Sequence, residues 1–248
     1  MIRKQIPNTI TLLNLLSGIL SIYLLFKTQN LLYPSLLILL GAFFDFFDGM
    51  FARILKVSSP IGKELDSLAD VVSFGVAPSL IVVEILNRNF QQNGGAFYYL
   101  AFIPLLMALM SAYRLAKFNL DTRQEESFIG VPTPANAIFW VSIALIQYFE
   151  QTGIYLWGIK LEFTHNISLF LTNSYTIIIL SLIFSFLLVS ELKLLSLKFK
   201  NLGWKDNKER FIFIIIALFL IFAINFYAIP FVIALYIIVS LIFNTYKR

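Results

Sequence analysis

Apolar blocks of about 20 residues recur along this chain, each closed by a short polar, basic or Pro/Gly segment. A helix needs about 20 apolar residues to cross the hydrocarbon of a bilayer, and there its backbone satisfies its own hydrogen bonds. The expected fold is therefore an all-α polytopic membrane protein with about eight transmembrane helices. The 59% hydrophobic content and mean hydropathy of +0.82 agree with this. No cysteine is present, which excludes disulfides and thiolate metal sites. A net charge of +5 raises nucleic acid as a partner. The basic residues lie between the apolar blocks, however, where they set topology and meet anionic lipid. No cleavable signal peptide is expected, because the first block lacks a small-residue cleavage site.

In chain order the spans are expected at about 8–26, 31–55, 63–86, 97–116, 134–149, 173–190, 211–228 and 229–245. Pro7 stands at the expected start of the first, with Asn8 or Thr9 as its cap. Asn8, Thr9, Thr11, Asn14, Ser17 and Gly18 cluster at the beginning of that span. They read mainly as helix-packing residues, or as the lining of a cavity at headgroup depth. Pro60 and Gly62 are expected in a tight turn before the third span, and Pro230 at the break between the last two. Glu84 is expected in interfacial water, and His165, the only histidine, on the surface. With the N-terminus inside, 16 of the 19 Lys and Arg residues fall on one side, leaving Lys27, Arg88 and Lys160 on the other. That bias predicts cytoplasmic N- and C-termini.

Four aspartates interrupt this apolar chain within 26 residues. Asp45 and Asp48 are spaced i, i+3, and Asp66 and Asp70 are spaced i, i+4, so each pair projects from one face of its helix. Facing helices would gather four carboxylates in a low-dielectric volume, which requires cations to neutralise them. Oxygen-only ligands suit a hard ion such as Mg²⁺, Mn²⁺ or Ca²⁺. Gly49 and Ala52 leave room for a flat group or a phosphate, and the planar fork of Arg53 matches phosphate oxygens.

The whole pattern, D-x2-D-G-x2-A-R-x8-G-x3-D-x3-D, resembles the signature of the CDP-alcohol phosphotransferase family at every fixed position. The resemblance implies a six-helix core and transfer of a substituted phosphoryl group from a CDP-linked donor to an alcohol, with release of CMP. It implies Asp45, Asp48, Asp66 and Asp70 as ligands of Mg²⁺ or Mn²⁺, with Asp70 also taking the acceptor proton. Gly49, Ala52 and Gly62 would shape the CMP pocket of CDP-diacylglycerol, and Arg53 would bind its phosphate.

Two further elements, P-N-x-x-T-x-x-N-x-x-x-G at the start and R-L-A-K-F-N followed by F-x-G-x-P-x-P-A, resemble the serine-accepting branch of the family. They imply L-serine as acceptor, with Arg114, Lys117 and Asn119 where its carboxylate is met. The expected division is a catalytic membrane domain at 1–190, a basic cytoplasmic connector at 191–210 and two added helices at 211–248. Expected partners are the two substrates and membrane lipids, without nucleic acid; a homodimer is left open. Glycerol 3-phosphate or inositol as acceptor, and a cation channel or transporter, remain as alternative readings.

Overall fold

The computed structural model describes residues 2–57, 59–92, 97–120, 128–153, 162–194 and 204–246. The charged segment 121–127 and much of the expected connector, 195–203, lie outside them. The fold is all-α, a multi-pass membrane architecture of helices α1 (Ile2–Thr28), α2 (Leu32–Ile54), α3 (Pro60–Asp70), α4 (Ala77–Gln92), α5 (Leu105–Leu120), α6 (Thr133–Thr152), α7 (Glu162–Leu171), α8 (Ser174–Val189), α9 (Trp204–Ile224) and α10 (Ala228–Tyr246). Among the described residues, four helical runs are long and apolar enough to span a bilayer by themselves: Gln5–Thr28, Leu32–Ile54, Pro60–Gln92 and Tyr98–Leu120. A further span is possible if α7 and α8, bent by 69° at their junction, count as one. Large apolar side chains such as Phe46, Phe186 and Phe222 project outward, 61%, 69% and 81% exposed, as lipid contact requires and water would penalise.

Several helix ends differ from expectation. Helix α1 begins at Ile2, so Pro7 lies inside it rather than at its start. The Thr11 hydroxyl oxygen lies 3.1 Å from the Pro7 carbonyl one turn back. Pro60 and Gly62 do not form a turn; they occupy the first turn of α3. Ser59 caps that helix by accepting from Gly62 N at 3.0 Å, and Pro60 sits where a helix N–H has no partner anyway. The reversal itself falls at Leu55–Val57, where Lys56 takes a φ of 52°. The break between the last two helices is the 3₁₀ turn Asn225–Tyr227, and Pro230 belongs to the first turn of α10.

Helices α1 and α2 pack side by side along their lengths, with α3 and α5 closing the same end of the bundle. Helix α3 continues into α4 through a π-helical segment, Val71–Val76, directly after Asp70. Helix α6 is the central post: 12 of its 20 residues are buried, and Phe139 stacks on Phe184 of α8 at 4.2 Å. Where the chain leaves α5, a two-residue antiparallel ladder joins Phe128–Ile129 to Lys193–Leu194 and anchors the start of α6 to the end of α8. Gly130 allows this contact: its φ is +72°, and a Cβ there would lie 2.6 Å from the Leu188 carbonyl. At the opposite end Glu84 pairs with Arg88 at 2.8 Å, and Arg88 reaches the Gln29 carbonyl. His165 lies at the surface, as expected, and its Nδ1 is 3.1 Å from Glu150, which also accepts from Tyr227.

Candidate active site

The helical spacing of the aspartates produces a single carboxylate cluster. Helix α2 carries Asp45 and Asp48 and α3 carries Asp66 and Asp70, all at the end of the bundle where the two helices meet. One oxygen each from Asp45, Asp48 and Asp66 falls within 4.8 Å of the others, an arrangement able to hold a metal ion. Asp70 lies in electrostatic range of all three and of the Arg114 guanidinium.

Helix α1 crosses this cluster. Thr11 donates to Asp48 Oδ2 at 2.7 Å, and Asn14 donates through Nδ2 to Asp70 Oδ1 at 3.3 Å. Thr11 and Asn14 are one turn apart, so α1 touches one aspartate from each pair. Sequence reasoning named both residues but read them mainly as packing. Their i, i+3 spacing was the available signal, yet nothing in one sequence says which helix such a face meets.

Beside the carboxylates opens a pocket of about 200 Å³. Helix α1 contributes Asn8 and Thr11, α2 contributes Asp48, Gly49 and Ala52, and α3 contributes Gly62, Lys63 and Asp66. A Cβ added at Gly49 would meet nothing within 4 Å, so the bare backbone faces open space. At Gly62 the constraint is the reverse. A Cβ would sit 3.0 Å from both Asn8 Oδ1 and Ser59 Oγ, so glycine lets α3 approach α1. Arg53 adjoins Ala52 but is exposed and does not line the pocket, whereas Lys63 does. Lys63 is a residue that sequence reasoning missed.

Arg114, Lys117 and Asn119 do not converge on one point. Arg114 is 8% exposed, and its Nε lacks a hydrogen-bond partner among the described residues. Lys117 pairs with Glu191 at 3.1 Å. Asn119 donates to Ser67 Oγ at 3.0 Å and Glu64 Oε2 at 3.3 Å, while its carbonyl accepts from Lys63 Nζ at 2.9 Å. Arg114 thus faces the carboxylates, and the other two tie α5 to the segment after α8 and to α3.

The donor set fits a hard divalent cation. Among the described residues, no lysine or arginine comes within ion-pair distance of Asp45, Asp48 or Asp66. A bound cation would neutralise their charge in the low-dielectric bundle. All available ligands are oxygens, which favours Mg²⁺ or Mn²⁺ over zinc.

Comparison with known proteins agrees in extent and kind. The family profile described as CDP-alcohol phosphatidyltransferase matches residues 4–172. The CDP-diacylglycerol–serine O-phosphatidyltransferase of Bacillus subtilis (strain 168) is 42% identical over 172 residues, covering 65% of this chain and 91% of that protein. The protein of the same name from Helicobacter pylori (strain J99) is 37% identical, covering 57% of each chain. An archaetidylserine synthase from Methanothermobacter thermautotrophicus is 34% identical over 60% of this chain and 59% of its own. The chain thus spans most of the Bacillus protein but under two thirds of the other two.

Proposed function

Because this chain belongs to the CDP-alcohol phosphatidyltransferase family, we propose that it transfers the phosphatidyl group of CDP-diacylglycerol to the hydroxyl of L-serine. The serine oxygen forms a bond to the phosphatidyl phosphorus while the bond from that phosphorus to the CMP oxygen breaks. The products are phosphatidylserine and CMP. The observation that carries the reading is the carboxylate cluster beside a pocket with a bare glycine wall.

In this mechanism Asp45, Asp48 and Asp66, together with Asp70, would hold the divalent ion. When bound, that ion neutralises the pyrophosphate and the departing CMP phosphate. Gly49 and Ala52 leave a flat space for the cytidine, Gly62 lets α3 close its wall against α1, Lys63 lies beside its phosphates and Arg53 stands at the rim. Asp70 takes the proton of the attacking hydroxyl, a task for a carboxylate within hydrogen-bond reach of the acceptor. Arg114 meets the serine carboxylate. It is the only buried arginine or lysine among the described residues, which suits one carboxylate better than an acceptor phosphate. Lys117 and Asn119 shape the approach through their contacts with Glu191, Glu64 and Ser67. The transfer is assigned to 1–190, with α9 and α10 as additions, and the site is assigned to the cytoplasmic side.

The test is CMP release by the purified protein from CDP-diacylglycerol with a panel of alcohols. Serine should support release well above glycerol 3-phosphate and inositol. A preference for either of those would overturn the acceptor assignment.

A further inference from the structure

The reaction just described gives no task to Asn14, which is wholly buried in α1. Its Nδ2 donates to Asp70 Oδ1 at 3.3 Å, and its Oδ1 has no partner among the described residues. Its backbone carbonyl accepts from Ser73 Oγ at 2.9 Å, and Ser73 belongs to the π-helical segment that follows Asp70. Glycine at position 41 leaves the amide its room. A Cβ at Gly41 of α2 would stand 3.0 Å from Asn14 Oδ1.

An orphaned amide oxygen in a core costs free energy, and an apolar side chain of similar size would avoid it. What the amide supplies is one N–H aimed at a carboxylate. Rotation about the last side-chain bond of aspartate is loosely restrained, so an isolated carboxylate samples several orientations. A donor on one oxygen removes that freedom. Being neutral, the amide does so without cancelling the charge that a proton acceptor needs. A flipped amide would set oxygen against oxygen, so one orientation is enforced.

We propose that Asn14 is a positioning residue for Asp70: by occupying Oδ1 it turns Oδ2 toward the acceptor hydroxyl. The proposal rests on Asp70 as the proton acceptor. It assigns the deep end of α1 to the transfer step, apart from the nucleotide pocket lined by Asn8 and Thr11.

The experiment is a double-mutant cycle of Asn14→Ala and Gly41→Ala, in detergent, with turnover and Mn²⁺ binding measured on all four proteins. Asn14→Ala should lower kcat by about 10- to 150-fold, as expected for one hydrogen bond to a charged group, leaving the KM for CDP-diacylglycerol and the Mn²⁺ affinity unchanged. Gly41→Ala touches no aspartate but displaces the amide, so it should lower kcat with Asn14 present and add nothing once Asn14 is alanine. If Asn14→Ala does not fold, the isosteric Asn14→Asp should be as slow. Wild-type kcat in either Asn14 variant, equal Gly41→Ala losses in both backgrounds, or loss of Mn²⁺ binding in Asn14→Ala would overturn the proposal. The cycle is read with whichever alcohol supports CMP release. Failure of serine alone therefore overturns the acceptor assignment and not this inference.

Discussion

Asp48 and Asp70 are held by different donors, a hydroxyl from Thr11 and an amide from Asn14, whereas among the described residues of α1 none donates to Asp45 or Asp66. All four remain within one electrostatic neighbourhood. Replacing any of Asp45, Asp48 or Asp66 with Asn removes a charged ligand but keeps side-chain size. Each variant should fold and be extracted normally while losing CMP release and Mn²⁺ affinity together; near-normal turnover would show that residue is not a ligand. Arg114→Ala should behave differently. Loss of a charge-assisted hydrogen bond to serine should raise its KM by about 10- to 150-fold, with the KM for CDP-diacylglycerol little changed. Steady-state kinetics with each substrate varied in turn separates the two effects. The four aspartates were legible in the sequence because charge inside an apolar run has few explanations. Lys63 was not, because a lysine at a helix end usually meets solvent or lipid headgroups. Arg114, Lys117 and Asn119 looked like one group in sequence, but their helix points them toward different neighbours.

Among the elements, α1 is the one whose importance was least visible. Its polar residues match ordinary helix-packing chemistry, and only the fold reveals that they meet carboxylates from two other helices. Gly18 keeps that contact close: a Cβ there would come within 2.8 Å of Ser73 Cα. Gly18→Ala should therefore push α1 away from the π-helical segment and destabilise the bundle by about 1–3 kcal/mol. Thermal unfolding in detergent would register this as a lower midpoint, and an unchanged midpoint would show that α1 yields at no cost. The start of α3 was misplaced by a few residues because Pro and Gly signal a turn as readily as a capped first turn. The Ser59 hydroxyl decides between them here, and its partner is known only from coordinates. The π-helical segment leaves no sequence mark that distinguishes it from ordinary helix.

For the whole molecule, apolar block length was sufficient to give an all-α multi-pass fold, but among the described residues four helical runs, or five with α7 and α8 as one, are long and apolar enough to cross, against about eight expected. Sidedness is a separate matter, resting on the uneven distribution of Lys and Arg. A cysteine at Gln124, between α5 and α6, should label only from the cytoplasmic side. One at Gln151, exposed at the far end of α6, should label only from outside. The reverse pattern would invert the molecule and the side on which its site opens. The family match ends at residue 172, so α9 and α10 lie beyond it, joined to the core by Phe226 stacked on Phe149 at 5.7 Å and by Tyr227 on Glu150. A divalent ion on the aspartate cluster is proposed to serve transfer to serine. The most direct test supplies the purified protein with CDP-diacylglycerol and isotope-labelled L-serine, with Mn²⁺ or with EDTA, and follows label entering the lipid phase alongside CMP. One labelled lipid per CMP is expected with Mn²⁺ and neither product with EDTA. CMP release without labelled lipid, or equal labelling under both conditions, would contradict that role.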